Sequence, residues 1–189
     1  MIGNTLNEDE EISTSRLRLA TVFPTEYQLM EDLKAPADLW QGRGFKNSNL
    51  HLVNESGPLR HRIPRIEKDP LFAPFALRLA VLKESSEIIG SSGFHDYPNE
   101  DGMIEIGLEV LPPFRRQGFA LEILHGMWGW VIRQHDVKTL RYTVSITNTP
   151  SIDLVNKLGF TRVGQQIDDE DGPEDIYEMS AEDYRSIFG

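Results

Sequence analysis

No cysteine occurs among the 189 residues of this chain. Its absence excludes disulfides, thiolate metal ligands and a cysteine nucleophile within the chain, and makes a reducing cytoplasm the expected setting. Long hydrophobic runs are missing too. No window approaches the roughly 18 consecutive apolar residues of a membrane helix, so no membrane partner is expected. Positive charge is scarce, with 19 Lys and Arg against 30 Asp and Glu and a net charge of −11. A chain without a basic footprint is not expected to bind nucleic acid, whereas a cationic substrate suits it. The five histidines show neither zinc nor metalloprotease spacing, so no metal is expected. The first residues, MIGNTLNEDEEI, lack the basic and apolar regions of a signal peptide. Residues 1–12 read as a flexible acidic tail and 13–189 as a single domain.

What the chain does contain is hydrophobic periodicity. Ser15–Val22 alternates Leu17 and Leu19 with Arg16 and Arg18 and predicts a first strand. Thr25 and Gln28 form a capping-box pattern after Pro24 and predict a helix through about Ala35. From Trp40 to Pro74, four prolines (Pro58, Pro64, Pro70, Pro74) interrupt the pattern. This locally basic segment reads as a long irregular insertion with room for one short helix, and loops of that length are often functional. Its Arg60, Arg62 and Arg65 are read as solvated, or as phosphate contacts.

Phe75–Lys83, Ile88–Phe94 and the strand from Met103 predict three consecutive antiparallel strands. A helix from Gly118 to about Gln134 follows, then a strand over Thr139–Ile146. Next comes a helix starting at Thr149 and capped by Gly159. Phe160–Gly164 and Ile176–Met179 predict a hairpin across an acidic loop, Asp168–Asp175, and Ser180 with Asp183 caps a terminal helix. Phe114, Trp128, Trp130 and Phe160 are assigned to the core. The order predicts an α+β fold, a mixed and mostly antiparallel central sheet with helices on both faces.

The organising stretch is Met103–Ala120, MIEIGLEVLPPFRRQGFA. Ile104, Ile106, Leu108 and Val110 alternate with Glu105, Gly107 and Glu109 as a strand, which Pro112 and Pro113 end. Arg115, Arg116, Gln117, Gly118, Phe119 and Ala120 then open a helix. Free N–H groups and the helix dipole make such a turn an anion site, though the same residues also suit an ordinary strand-to-helix turn.

EIGLEVLPPFRRQGFALEIL and, further on, NTPSIDLVNKLGF resemble the cofactor-binding motifs of the GNAT superfamily of acyl-CoA N-acyltransferases. With TSRLRLA and IEIGLEVLP, the chain is most similar to the ribosomal-protein alanine/serine N-terminal acetyltransferase (RimJ/RimL-type) branch. The resemblance covers roughly residues 13–180 and implies that the strands ending near Val110 and Ile146 splay apart. Pantetheine would then lie along Val110 and Leu111, with the pyrophosphate on Arg115, Arg116, Gln117, Gly118, Phe119 and Ala120. It implies acetyl-CoA as co-substrate, Asn148 on the pantetheine arm, and Ser151 beside the thioester sulfur as proton donor. Glu105 matches the base position, with Glu109 and His95 as alternates. Read as residues alone, Asn148 and Ser151 are also good helix caps, and both glutamates suit a half-exposed strand.

The expected activity is acetyl transfer to a primary amine, a protein N-terminus or a small amine, by direct attack in a ternary complex. A polyamine- or aminoglycoside-like acceptor and a non-catalytic acyl-CoA-binding regulatory module are the alternatives. Monomer and homodimer are both compatible.

Overall fold

A computed structural model describes residues 11–134, 136–168 and 172–189. The strands are β1 Ile12–Ser13, β2 Leu17–Thr21, β3 Arg78–Leu82, β4 Ile88–Phe94, β5 Met103–Val110, β6 Thr139–Ser145, β7 Thr161–Asp168 and β8 Gly172–Ser180. The α-helices are α1 Pro24–Tyr27, α2 Leu59–Lys68, α3 Ala73–Ala76, α4 Phe119–Gln134, α5 Thr149–Lys157 and α6 Ala181–Phe188. Strand order is β1-β2-β3-β4-β5-β6-β8-β7, a mixed, mostly antiparallel sheet in an α+β fold, as the element order predicts. The chain divides into two compact units, one of residues up to Gly93 with Leu108–Gly126, the other of Phe94–Gly107 with Met127–Gly189. β5 and α4 supply residues to both.

In the first unit β1, β2, β3 and β4 pair antiparallel in sequence. Ile12, which the sequence reading leaves in the tail, is buried in β1; the rest of that tail up to residue 10 lies outside the described residues. Leu19 packs against α4, where a Cβ on Gly126 would come within 2.8 Å of the leucine Cδ1. On the other face of β2, the Arg18 guanidinium lies 5.1 Å from the Phe45 ring centroid, so both faces of this strand are covered. Ala80 pairs with Gly90 but Val81 with Ile88, which makes Ile89 the extra residue of a bulge in β4.

Two sequence expectations change here. The helix expected through Ala35 is only the four residues of α1. Glu26, not Gln28, closes its first turn, accepting the Phe23 N–H at 2.7 Å and pairing with Arg43 at 3.1 Å. Left-handed backbone at Asp32 and Leu33, φ +49° and +59°, prevents any continuation. Conversely, the insertion at 40–74 holds the ten-residue α2, with Leu59, Arg62 and Ile66 buried. Pro64 is tolerated because it lies on the exposed side of α2, away from the buried Leu59, Arg62 and Ile66. Arg62 is therefore buried, and Arg65 pairs with Asp69 at 3.3 Å while covering the Phe72 ring; neither is a solvated loop residue.

In the second unit β5 and β6 run parallel, joined by the crossover helix α4, and β6, β8 and β7 pair antiparallel. Trp128 stacks on Phe160 at 4.8 Å and meets Tyr184 edge-on at 5.7 Å; Trp128, Trp130 and Phe160 are buried as assigned, whereas Phe114 in the turn after β5 is only half-buried. Gly159, at φ +85°, ends the α5 region, and Ser180 caps α6 through Asp183 N–H at 2.9 Å. The acidic loop is shorter than expected. β7 runs to Asp168 and β8 starts at Gly172, and of the span between them residues 169–171 lie outside the described residues. Acidic residues hold strand positions here because the neighbouring strand supplies partners: Arg162 meets Asp175 at 2.7 Å, and Gln165 donates to it at 2.9 Å. Among the described residues, no helix is long and apolar enough to cross a membrane.

Candidate active site

The first unit holds the turn after β5. Pro112–Phe114 forms one 3-10 turn, after which Arg116 and Gly118 both take left-handed backbone, at φ +62° and +81°. Arg115, Arg116, Gln117 and Gly118 are exposed, and α4 begins at Phe119. The first N–H groups of a helix have no intrahelical acceptor and sit at the positive end of its dipole, so this turn presents donors to an anion.

Arg16 braces the turn from β2's approach: Nη1 donates to Gln117 O at 3.0 Å, and the guanidinium stacks 4.2 Å from the Phe119 ring centroid. Glu122 on α4 holds Arg16 in turn, accepting from its Nε at 2.7 Å, its backbone N–H at 2.6 Å, and the Thr14 hydroxyl at 2.6 Å. Burial opposes the Glu122 charge, but the bonds from Thr14 and Arg16 outweigh it and hold this carboxyl below its ordinary range. Sequence reasoning missed this brace, since nothing near Arg16 signals a partner 106 residues away.

The strand edges can be assigned from hydrogen bonds. Glu105 O accepts from His95 N–H at 2.9 Å, and Leu111 N–H donates to Ile89 O at 2.8 Å, so odd-numbered residues of β5 bond to β4. Ile106, Leu108 and Val110 direct their N–H and C=O groups to the opposite edge. The β5–β6 pairing covers Met103–Glu105 with Thr139–Arg141, whereas β6 continues to Ser145 paired with β8. Of Val110 and Leu111, only Val110 thus keeps its amide off the β4 ladder; its carbonyl accepts from Arg115 Nε at 2.7 Å.

The second unit holds the acid–base candidates. Glu105, the last residue paired to β6, accepts a hydrogen bond from the Thr143 hydroxyl, and its Oε1 lies 3.5 Å from His95 Nδ1. The Glu105 side chain is 15% exposed and that of His95 52%, so the histidine stands between a sheltered carboxylate and solvent. Thr143 was not foreseen; an alternating strand position carries no mark of what it reaches.

Asn148 is the N-cap of α5, its side chain accepting from Ser151 N–H at 3.3 Å. The Ser151 hydroxyl is hydrogen-bonded to the Tyr142 phenol, which burial pushes up in pKa and the serine bond partly restores. Successive strand residues face opposite ways, so Ser151 through Tyr142 and Glu105 through Thr143 engage opposite faces of β6. Among the described residues no group of three or more His, Asp or Glu could hold a metal ion.

A mixed, mostly antiparallel sheet whose fifth strand passes through a left-handed turn into a helix defines an α+β protein. The sequence profile of the acetyltransferase (GNAT) domain matches residues 58–161, over half of the chain. The chain belongs to the GNAT acetyltransferase family. It is 33% identical over 82 residues to the uncharacterized N-acetyltransferase YjdG of Bacillus subtilis (strain 168), covering 43% of this chain and 49% of that one. The chain thus spans about half the length of that curated relative. Among solved structures it is similar to the RimL ribosomal L7/L12 α-N-protein acetyltransferase in complex with coenzyme A. That match has TM-score 0.61 and 14% identity, over 90% of this chain and 98% of the other. It is also similar to a chimera of the spermidine N-acetyltransferase SpeG from Vibrio cholerae with hSSAT. Here the TM-score is 0.64 and identity 11%, over 90% and 99% of the two chains. At these identities the likeness is one of fold.

Proposed function

We propose that this protein is an acetyl-CoA-dependent N-acetyltransferase acting on a primary amine by direct attack in a ternary complex. The observation that carries the reading is the exposed turn at Arg115–Ala120, left-handed at Arg116 and Gly118 and opening α4, in a chain of this family. Its N–H groups and arginines take the pyrophosphate, and the Val110 amide, off the β4 ladder, polarises the thioester carbonyl.

Glu105, oriented by Thr143, takes the proton that nitrogen loses as the N–C bond forms, and His95 passes it to solvent. Ser151 gives its proton to the departing thiolate and takes one back from solvent, while its bond to the Tyr142 phenol holds the hydroxyl in place. Asn148 holds the α5 N-terminus and contacts the pantetheine arm.

The acceptor is a protein N-terminus or a small amine, and the net charge of −11 favours a cationic one. Relatives in fold act on both kinds, by their names. Thiol release from acetyl-CoA, measured over a panel of N-terminal peptides, spermidine and aminoglycosides, tests the reading. Acceptor-dependent release is expected, and CoA binding without transfer to any amine would overturn it.

A further inference from the structure

The same unit that holds the turn contains a second carboxylate, and it is not on a bare surface. Leu111 N–H bonded to Ile89 O sets an antiparallel register in which Ser91 of β4 stands opposite Glu109 of β5. His51, from the 40–74 insertion, covers this pair. Its Nε2 lies 2.9 Å from Ser91 Oγ, and its Nδ1 lies 4.0 Å from Glu109 Oε2.

The chain holds that histidine tightly. Asn47 brackets its backbone, with Oδ1 accepting His51 N–H at 2.8 Å and Nδ2 donating to His51 O at 3.0 Å. Leu50 and Leu52 on either side both take left-handed backbone, φ +55° and +60°, which branched-chain residues seldom adopt. The His51 side chain is 3% exposed, but the Glu109 side chain is 46% exposed, so the pair reaches from the core to solvent.

We propose that His51 is a positioning residue for Glu109, and that Glu109 removes the first proton from the acceptor amine. The proposal rests on the acetyltransfer reading above, which puts the thioester at Val110, one residue on. Acceptors arrive as R–NH3+ and cannot attack until one proton leaves. That proton passes to the Glu109 carboxylate, giving R–NH2 and a neutral carboxyl, which returns it to water through its exposed side. The second proton, lost as the N–C bond forms, is the one assigned to Glu105.

Burial pushes His51 down to about 4, so it stays neutral and leaves the Glu109 charge uncompensated. This role takes the tautomer in which Ser91 donates to Nε2, so that the ring proton sits on Nδ1, facing Glu109. Burial also raises Glu109 above the usual carboxylate range, with Arg115 lowering it and Glu55 raising it; among the described residues these two and His51 are the charged or titratable groups facing it. A carboxylate moved towards neutral pH is the better proton acceptor.

The test is the pH profile of kcat/KM for the full chain, with acetyl-CoA saturating and spermidine or an alanine-initiated peptide as acceptor. Glu109→Gln should lower kcat/KM at least tenfold and remove the acidic limb. Ser91→Ala should move that limb to higher pH, because Nε2 can then carry the proton and Nδ1 turns a lone pair on Glu109. His51→Asn, whose amide donor falls near the Nδ1 position, should restore the limb where His51→Ala does not. A structural role alone would lower thermal stability and leave the limb in place, which would overturn the proposal. Imidazole nitrogen NMR gives a readout independent of turnover: the Nδ1–H tautomer of His51 supports the arrangement, and Nε2–H in the wild-type protein overturns it. If neither acceptor is acetylated, it is the acetyltransfer reading that fails, while the tautomer still decides the His51–Glu109 relation.

Discussion

The Thr143 hydroxyl donates to the Glu105 carboxylate two residues beyond the last β5–β6 pair, Glu105 with Arg141. A threonine at an alternating strand position thereby fixes which way that carboxylate faces. In the proposed reaction Glu105→Gln should lower kcat by about two orders of magnitude, within the range of general-base catalysis. Thr143→Val, which keeps the shape and removes the donor, should lower kcat several-fold with the KM for acetyl-CoA unchanged. Steady-state kinetics on both variants checks this, and equal activity in Thr143→Val would separate the hydroxyl from the chemistry.

Gly118 should be replaceable in space but not in conformation. A Cβ there would meet Arg16 Nη2 at 3.5 Å, an ordinary contact, yet φ is +81°. Gly118→Val should therefore weaken acetyl-CoA binding at least tenfold by distorting the turn, as measured calorimetrically, with about 1–2 kcal/mol lost from stability.

The Glu122 brace should be visible in stability against pH. Its carboxyl is held below its ordinary range, so it contributes stability above that range, lost as pH falls through the lowered value. Glu122→Gln should cost about 1–2 kcal/mol at pH 7 in urea denaturation, and the difference from wild type should shrink below about pH 4. A difference independent of pH would mean that packing, not charge, carries the effect.

His51 predicts a second pH window. Buried and neutral, with its pKa lowered to about 4, it must charge when the chain unfolds at acid pH. Stability from this group is full above its unfolded value of about 6.5 and falls as pH drops towards about 4, by roughly 2–3 kcal/mol in all. Denaturation midpoints of His51→Asn should be flatter across that window than those of the wild type.

The α5 cap and the proposed pantetheine contact of Asn148 can be separated by kinetics. Loss of the α5 cap in Asn148→Ala should cost about 1 kcal/mol. If the side chain also holds the pantetheine arm, the KM for acetyl-CoA should rise several-fold at a temperature where the variant remains folded. An unchanged KM would leave capping as its whole role.

How far the site was legible depended on whether its partners lie close in the chain. The β5 alternation, the proline stop and the glycine before α4 are written in one continuous stretch, and the structure has that strand, turn and helix. Glu105 was legible as a strand position, but Thr143 and His95 become its neighbours only through strand pairing. The same holds for Tyr142 beside Ser151. The insertion at 40–74 read as irregular with room for one short helix, and its prolines, counted as breakers, hid where that helix lies, although Pro64 on an exposed helix face breaks little.

By itself the sequence determined the α+β class, the order of elements from β3 to α6, and the strand, turn and helix around Val110, since each follows from backbone preferences acting over a few residues. Tertiary structure alone decided the rest. It stopped the helix at Tyr27, formed α2 inside the insertion, and tied Arg16 to Glu122. It also set His51 between Ser91 and Glu109. Those choices depend on which distant groups can satisfy a charge or a hydrogen bond once water is excluded, and residue spacing along the chain carries no record of that.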